Sequence, residues 1–229
     1  MTTRMKNMAI ILSATAALST PALAFDKYDI LMGGYDAGPS VAGLIGVNNI
    51  FEKVPVGVEI SLGYSWVSDK GDPILARKVF IDQNTGGDND AQSTGGVLDL
   101  TMNAVYPLNQ SYGTMKFFVF GGPRYAHYDM RYEYVGGDED FDTVANNWGL
   151  GGGVRGVMPL GKGMSAIIQL GLDYYPEGSI YGHDATYYPD NSNINARNDG
   201  HGYTYTYDDA LNATRVPHIR PRVMAGIQF

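Results

Sequence analysis

The sequence predicts a closed, antiparallel transmembrane β-barrel of eight strands. Three observations lead to this fold class. Several segments alternate between apolar and polar residues with a period of two, as a β-strand with two unlike faces does. No segment after the N-terminal region has an apolar run long enough for a membrane-spanning helix. Short and long connections alternate along the chain, which is typical of strands that cross a membrane back and forth.

The N-terminal region has the pattern of an export signal. Arg4 and Lys6 precede a short apolar run, and Ala22-Leu23-Ala24 supplies a small-x-small cleavage site. We therefore expect a signal peptide over residues 1–24 and a barrel domain over residues 25–229. The chain has no cysteine, so disulfide bonds cannot stabilise it after export. In lipid only a closed barrel lets strands satisfy every backbone N–H and C=O group.

Val56–Val67 is the clearest predicted strand. Its two faces differ completely: one carries Val56, Val58, Ile60, Leu62, Tyr64 and Trp66, and the other carries Gly57, Glu59, Ser61, Gly63 and Ser65. A large apolar face opposite a small, polar one is expected where one side meets lipid and the other lines a barrel. The last segment, Pro221–Phe229, repeats this alternation and ends on an aromatic residue.

Seven further segments complete the predicted set of eight strands. Their bounds are residues 28–35, 41–51, 98–106, 116–125, 148–158, 166–175 and 216–229, the last of which contains Pro221–Phe229. Short connections are predicted near residues 52–55, 107–114 and 159–163, and long ones near residues 69–94, 129–146 and 177–214. The first hairpin, at Asp36–Ser40, is the exception, since it is a short connection on the side of the long ones. This arrangement predicts short periplasmic turns and long extracellular loops.

The export signal, the eight alternating strands and the terminal Phe229 resemble the small bacterial outer-membrane barrels typified by the OmpA transmembrane domain and OmpX. The resemblance covers residues 25–229 and implies a location in the bacterial outer membrane. It also implies that Phe229 is an assembly signal. The implied surroundings are outer-membrane lipid and lipopolysaccharide, and the implied partners are the barrel assembly machinery and periplasmic chaperones. The family has no single biochemical activity.

Charged residues on the inward faces are the first candidate site. We expect a charge network in the lumen formed by Glu59, Asp99, Lys116, Arg124, Arg155, Asp173 and Arg222. Opposite charges there should pair, because an isolated buried charge is costly. Phe118 and Phe120 are expected to narrow the same space. The network is either a gated ion path or proton relay, or a polar plug that closes the barrel, and we favour the plug.

The long connections are the second candidate site. They carry 17 of the 24 acidic residues of the chain. This excess of negative charge argues against nucleic acid as a partner. Their many tyrosines suit binding to a surface or ligand that the sequence does not name. Asp138, Asp140 and Asp142 are weak candidates for a metal site, although their spacing does not fit a calcium-binding loop. No cofactor is predicted.

These features favour a non-enzymatic envelope protein whose loops serve surface interaction or envelope integrity. A narrow, porin-like channel or carrier for small solutes or lipids is the alternative. A hydrolase is less favoured. The pair in Asp199-Gly200-His201 resembles that of outer-membrane aspartyl proteases, but those barrels have ten strands and a second carboxylate pair.

Overall fold

Eight antiparallel strands close into a barrel in the computed structural model of the chain. The structure describes residues 26–51, 54–71, 91–134, 140–182, 184–198, 202, 204–214 and 217–229. The predicted signal peptide lies outside these residues. The barrel strands are β1 (Asp26–Asp36), β2 (Pro39–Asn48), β3 (Gly57–Gly71), β4 (Ala91–Tyr112), β5 (Met115–Tyr134), β6 (Asp140–Gly161), β7 (Met164–Tyr174) and β10 (Ile219–Gln228).

Each barrel strand pairs with its neighbour in the chain, and β10 pairs with both β7 and β1. The β1–β10 seam runs from Ile30 opposite Gln228 to Asp36 opposite Arg222. Just below it, the Phe229 N–H donates to the Asp29 carbonyl at 2.9 Å. The predicted fold class, a closed antiparallel barrel of eight strands, is therefore confirmed.

The two ends of the barrel differ. We call the end at which β1 begins and β10 ends the terminal end, and the opposite end the distal end. The turns β2–β3, β4–β5 and β6–β7 lie at the terminal end, and the connections β1–β2, β3–β4, β5–β6 and β7–β10 lie at the distal end. Among the described residues, no helix is long and apolar enough to cross a membrane.

Several strands are longer than the sequence pattern predicts. β4 continues past Tyr106 to Tyr112, so the predicted connection at residues 107–114 narrows to a tight turn in which Gly113 has a φ of 59°. β5 and β6 also continue into the region predicted as a loop at 129–146. These extensions pair through backbone hydrogen bonds, but on β5 the exposed residues are polar, as Asp129 and Arg131 are, and the buried ones are apolar, as Met130 is, which reverses the alternation of the lipid-facing part. A prediction based on alternation therefore stops too early.

The β7–β10 connection contains structure that the sequence pattern does not predict. β8 (Ile180–Gly182) pairs with the distal part of β6, β9 (Ala185–Tyr187) pairs with β8, and helix α1 spans Tyr207–Thr214. Thr206 and Asp209 cap the start of α1, with the Thr206 N–H donating to the Asp209 carboxylate at 2.8 Å. Such a threonine and acidic pair three residues apart is a helix-start signal.

The outward and inward faces follow the predicted alternation. Outward residues on several strands are about half exposed: Ile60 46%, Leu100 45%, Leu170 55% and Val223 53%. The inward residues between them are buried. They form three layers: an apolar cluster at the terminal end, which includes Ile30, Leu44 and Met224, a charged middle, and a second apolar cluster at the distal end.

Candidate functional site

The middle layer of the lumen contains equal numbers of buried acidic and basic side chains among the described barrel residues. The four carboxylates and four guanidinium groups are Asp36, Glu59, Asp99, Asp173, Arg124, Arg155, Arg220 and Arg222. They come from several different strands. Every second residue of a strand points into the lumen, and one or two of these inward residues on each contributing strand lie at the height of the middle layer. The charges balance within the layer, so burial leaves no net charge to be neutralised from outside.

The first group of contacts joins β3 to β6 across the lumen. Arg155 donates from Nη1 and Nη2 to the two carboxylate oxygens of Glu59, both at 2.8 Å. Its Nε also donates to the Gln169 side-chain oxygen at 2.9 Å. The Tyr28 hydroxyl donates to Glu59 at 3.1 Å. This two-pronged arginine–carboxylate geometry is the strongest form of a charged hydrogen bond in proteins.

The second group centres on Asp173. Arg124 Nε donates to Asp173 Oδ1 at 2.9 Å, and Arg222 approaches the same oxygen at 3.3 Å. Arg124 Nη1 donates to the Asn103 side-chain oxygen at 2.6 Å, and the Asn103 amide donates to Glu59 at 2.9 Å. Asn103 therefore connects the second group to the first, and a single hydrogen-bonded network spans the lumen.

The third group surrounds Arg220 at the distal side of the layer. Its Nε lies 2.7 Å from Asp36 Oδ1, and the two atoms form an ion pair whose geometry is not that of a hydrogen bond. Its Nη2 donates a hydrogen bond to Asp99. Nη2 and Nη1 also donate to the hydroxyls of Tyr175 at 3.0 Å and Tyr128 at 3.2 Å. Arg220 is only 1% exposed. One planar guanidinium thus holds β1, β4, β5 and the end of β7 together.

Inward glycines on β6 provide the space for these side chains. A Cβ atom at Gly151 would lie 1.8 Å from Asp173 Oδ1 and 2.8 Å from Arg124 Nε. A Cβ atom at Gly153 would lie 2.8 Å from the Phe120 ring. The structure places the Asp173–Arg124 contact directly over Gly151.

Aromatic side chains and a small cavity fill the rest of the layer. Phe120 is buried, and the guanidinium carbons of Arg155 and Arg222 lie 5.4 and 5.9 Å from its ring centre. This is within the range of favourable cation–π contacts. A cavity of about 20 Å³, lined by residues that include Asp99 and Arg222, has space for about one water molecule. The interior is therefore filled in the way expected of an eight-stranded barrel.

The predicted charge network differs from the structure at Lys116. The structure brings together Glu59, Asp99, Arg124, Arg155, Asp173 and Arg222, all of them buried. Lys116 has the inward parity of β5 but is exposed, because it lies one residue from the start of that strand at the terminal end. It forms no ion pair with another described residue. Its inclusion in the network was therefore wrong.

Sequence reasoning missed two central members of the layer, Arg220 and Asp36. The alternation that places Arg222 inward also places Arg220 inward, but Pro221 interrupted the pattern. Asp36 was assigned to a turn, although it is the last residue of β1 and 5% exposed. Both residues would have been found if the inward–outward alternation of each strand had been continued past proline and turn residues.

The distal apolar cluster covers the charged layer. Helix α1 packs against inward residues of β5 and β6, and Tyr207 and Ala210 are buried with Tyr128, Met130 and Ala145. The Tyr207 hydroxyl donates to the Gly178 carbonyl at 3.0 Å, which holds the start of the helix to the same connection. Burial raises the pKa of the Tyr207 hydroxyl, so it remains a neutral donor there. Apolar side chains thus pack on the distal side of the charged layer as well as on its terminal side.

The predicted loop sites are only partly within the described residues. Asp138 and the Asp199-Gly200-His201 pair lie outside them. Asp142 is exposed and stands opposite Arg131 in the β5–β6 register, and Asp140 stands opposite Glu133. Within the described part of the chain, no group of three or more histidine, aspartate or glutamate side chains is arranged to hold a metal ion.

Comparison with solved structures identifies the fold. No family model and no curated protein matches the sequence. A major outer membrane protein from Thermus thermophilus is similar in structure, with a TM-score of 0.66 and 18% identity over 89% of this chain and 98% of that one. The N-terminal β-barrel domain of Pseudomonas aeruginosa OprF aligns with a TM-score of 0.40 and 12% identity over 89% of this chain and 96% of that one. The likeness to the Thermus protein shows the fold alone, a closed antiparallel β-barrel, which is the fold that the resemblance of the sequence to small outer-membrane barrels implies.

Proposed function

We propose that the chain is a non-enzymatic protein of the bacterial outer membrane. Its barrel spans the membrane as a closed scaffold, with the terminal end toward the periplasm and the distal loops outside the cell. The loops then serve surface interaction or envelope integrity. Outer-membrane lipid and lipopolysaccharide surround the barrel, and periplasmic chaperones and the barrel assembly machinery deliver it, with Phe229 as the assembly signal.

The observation that carries this proposal is the charge-balanced middle layer between two apolar clusters. A conducting pore needs a continuous aqueous path, whereas buried ion pairs and the Phe120 ring occupy the described middle layer. The four buried arginines are all engaged with carboxylates, so none is free to attract a passing anion. This arrangement favours the polar plug over the ion path. The ionic conductance of the barrel in a planar bilayer distinguishes the plug from the channel.

The exposed outward face supports a lipid environment. Contiguous apolar residues on β6 and β7 are half exposed or more, including Leu150 at 66% and Leu172 at 56%. Such a band would be an aggregation hazard in water but is the expected surface of a barrel in lipid. Aromatic side chains at the strand ends, such as Tyr174 on β7 and Phe229 after β10, suit the membrane boundary.

The location can be tested with two epitope-tagged variants. One carries a tag within residues 72–90, between β3 and β4, and the other carries it at the Gly113 turn between β4 and β5. We expect both proteins in the outer-membrane fraction, and we expect antibody on intact cells to bind only the first. Recovery in a soluble fraction would contradict the membrane location. Binding to the Gly113 tag alone would reverse the orientation.

A further inference from the structure

A cleft opens through the side of the barrel wall at the distal end, where the β1–β2 hairpin is shorter than its neighbours. The ladder between β1 and β10 ends at Asp36 and Arg222, but β10 continues to Ile219 along β7. The ladder between β2 and β3 ends at Ser40 and Ser65, but β3 continues to Gly71 along β4. The barrel wall therefore extends less far at the distal end between β10 and β3 than it does on either side.

The shape of the gap follows from the residues at its borders. The hairpin turns at Ala37 and Gly38, and a Cβ atom at Gly38 would lie 2.0 Å from the Trp66 carbonyl oxygen, so the turn is pressed against β3. Pro217 and Pro221 stand on the other border, and neither has an N–H group with which to extend a ladder. The gap is thus determined by the backbone, through the tight turn at Gly38 and the missing N–H groups of the two prolines, and not by side-chain positions alone.

The cleft has a volume of about 600 Å³ and a mostly apolar lining. This volume is within the range of about 300–1,000 Å³ that is usual for small-molecule sites. Its outer lining consists of Tyr35, Pro39, Trp66, Ile219 and Pro221, all with the outward parity of their strands. Tyr35 and Ile219 are 54% and 60% exposed, so the cleft is continuous with the lipid-facing band.

The inner lining belongs to the interior of the barrel. Ala37 and Val67 line the cleft and also pack against the distal apolar cluster. The cleft therefore extends from the lipid-facing surface to the distal apolar cluster. Arg220 lies at its base, but Asp36 and Asp99 already neutralise that guanidinium, so a charged group is not what the cleft selects.

We propose that the cleft binds one acyl chain of a lipid from the adjacent membrane leaflet. The inference rests on the proposed membrane location. In that setting lipid tails are the phase that borders the opening, and an apolar cleft filled by a tail exposes neither its lining nor the tail to water. Tyr35 and Trp66 stand where an amphipathic ring prefers the membrane boundary, which keeps the lipid headgroup in the polar layer above.

A photoactivatable phosphatidylcholine with a diazirine on its acyl chain provides the test. The barrel is reconstituted in vesicles that contain this lipid and irradiated, and the modified residues are mapped by mass spectrometry. Leu150 reports contact with bulk lipid because it is outward and 66% exposed. Val67 reports occupation of the cleft because it has the inward parity of β3. We expect adducts at both residues.

Two substitutions at Ser68, an exposed residue of the cleft lining, supply the controls. In Ser68→Phe the ring blocks the cleft, so adducts at Val67 should fall to background while those at Leu150 persist. Ser68→Ala leaves the cleft open and should keep both. Adducts at Leu150 without adducts at Val67 in the parent would overturn the cleft proposal alone. A parent without adducts at Leu150 would overturn the membrane location itself.

Discussion

Arg155 on β6 and Glu59 on β3 meet across the barrel lumen through two parallel hydrogen bonds of 2.8 Å. Arg155 is 2% exposed and Glu59 is 1% exposed, so the pair is withdrawn from water. Their 96-residue separation in sequence means that the contact exists only when the barrel is closed. The same contact that neutralises two buried charges therefore also joins opposite walls.

Removing one member of this pair should destabilise the barrel more than removing both. Arg155→Met leaves the Glu59 carboxylate buried without its counter-charge, which costs about 3–5 kcal/mol where burial is complete. The double variant Arg155→Met/Glu59→Leu removes both charges and should recover much of that loss. Urea unfolding from detergent or vesicles measures the two free energies. If the single variant were as stable as the parent, the pair would not contribute to closing the barrel.

Gly151→Ala should lower stability, whereas Gly63→Ala should be tolerated. A Cβ atom at Gly151 would lie 1.8 Å from Asp173 Oδ1, so the Asp173–Arg124 bond would have to shift. A Cβ atom at Gly63 would meet its nearest neighbour, the Ala42 Cβ, at an ordinary 3.5 Å. Both glycines lie on inward faces of the barrel, so the two substitutions form a matched pair. Thermal unfolding, followed by the change in gel mobility, measures the stability of each variant. Equal losses of stability in the two variants would contradict the role given to Gly151.

Leu62→Arg should block assembly or destabilise the barrel by about 2–4 kcal/mol, because an arginine on the lipid face near the membrane centre is costly. Leu62 lies on the outward face of β3, opposite Leu100 on β4. Tyr112→Arg is the control, since Tyr112 is 83% exposed at the terminal end, where the cost is about 0–1 kcal/mol. Folding into vesicles provides the measurement. Normal folding of Leu62→Arg would mean that the face, or the membrane itself, is assigned wrongly.

Deleting Phe229 should reduce delivery to the outer membrane while export continues. Its backbone N–H closes the seam with Asp29, but its ring is 60% exposed and contributes little to the interior. Phe229→Tyr retains an aromatic terminus and should be delivered normally. Heat-modifiable barrel in outer-membrane fractions is the readout. Unchanged delivery of the deletion variant would rule out Phe229 as an assembly signal.

The sequence was sufficient to predict the barrel and the inward parity of most strands, because lipid imposes a strict two-residue alternation on Val56–Val67 and its equivalents. Contacts across the lumen could not be predicted in this way, because alternation shows which side chains point inward but not which of them meet. Arg155 had Asp173, Asp99 and Glu59 as candidate partners, and only the closed structure places Glu59 opposite it. Helix α1 was missed because its apolar side is short. That side packs against the distal apolar cluster, whose residues come from four segments that are far apart in the sequence. Only its Thr206–Asp209 cap signalled it locally.

The conductance of the purified parent in planar lipid bilayers tests most directly whether the lumen is closed. The paired charges and the two apolar clusters predict no steady ionic current above the bare bilayer, with Arg155→Ala raising the current because it removes the bridge between β6 and β3. The Leu62→Arg protein, which should fail to insert, controls for leakage from detergent. Steady, porin-like current from the parent would contradict the closed lumen and favour the channel.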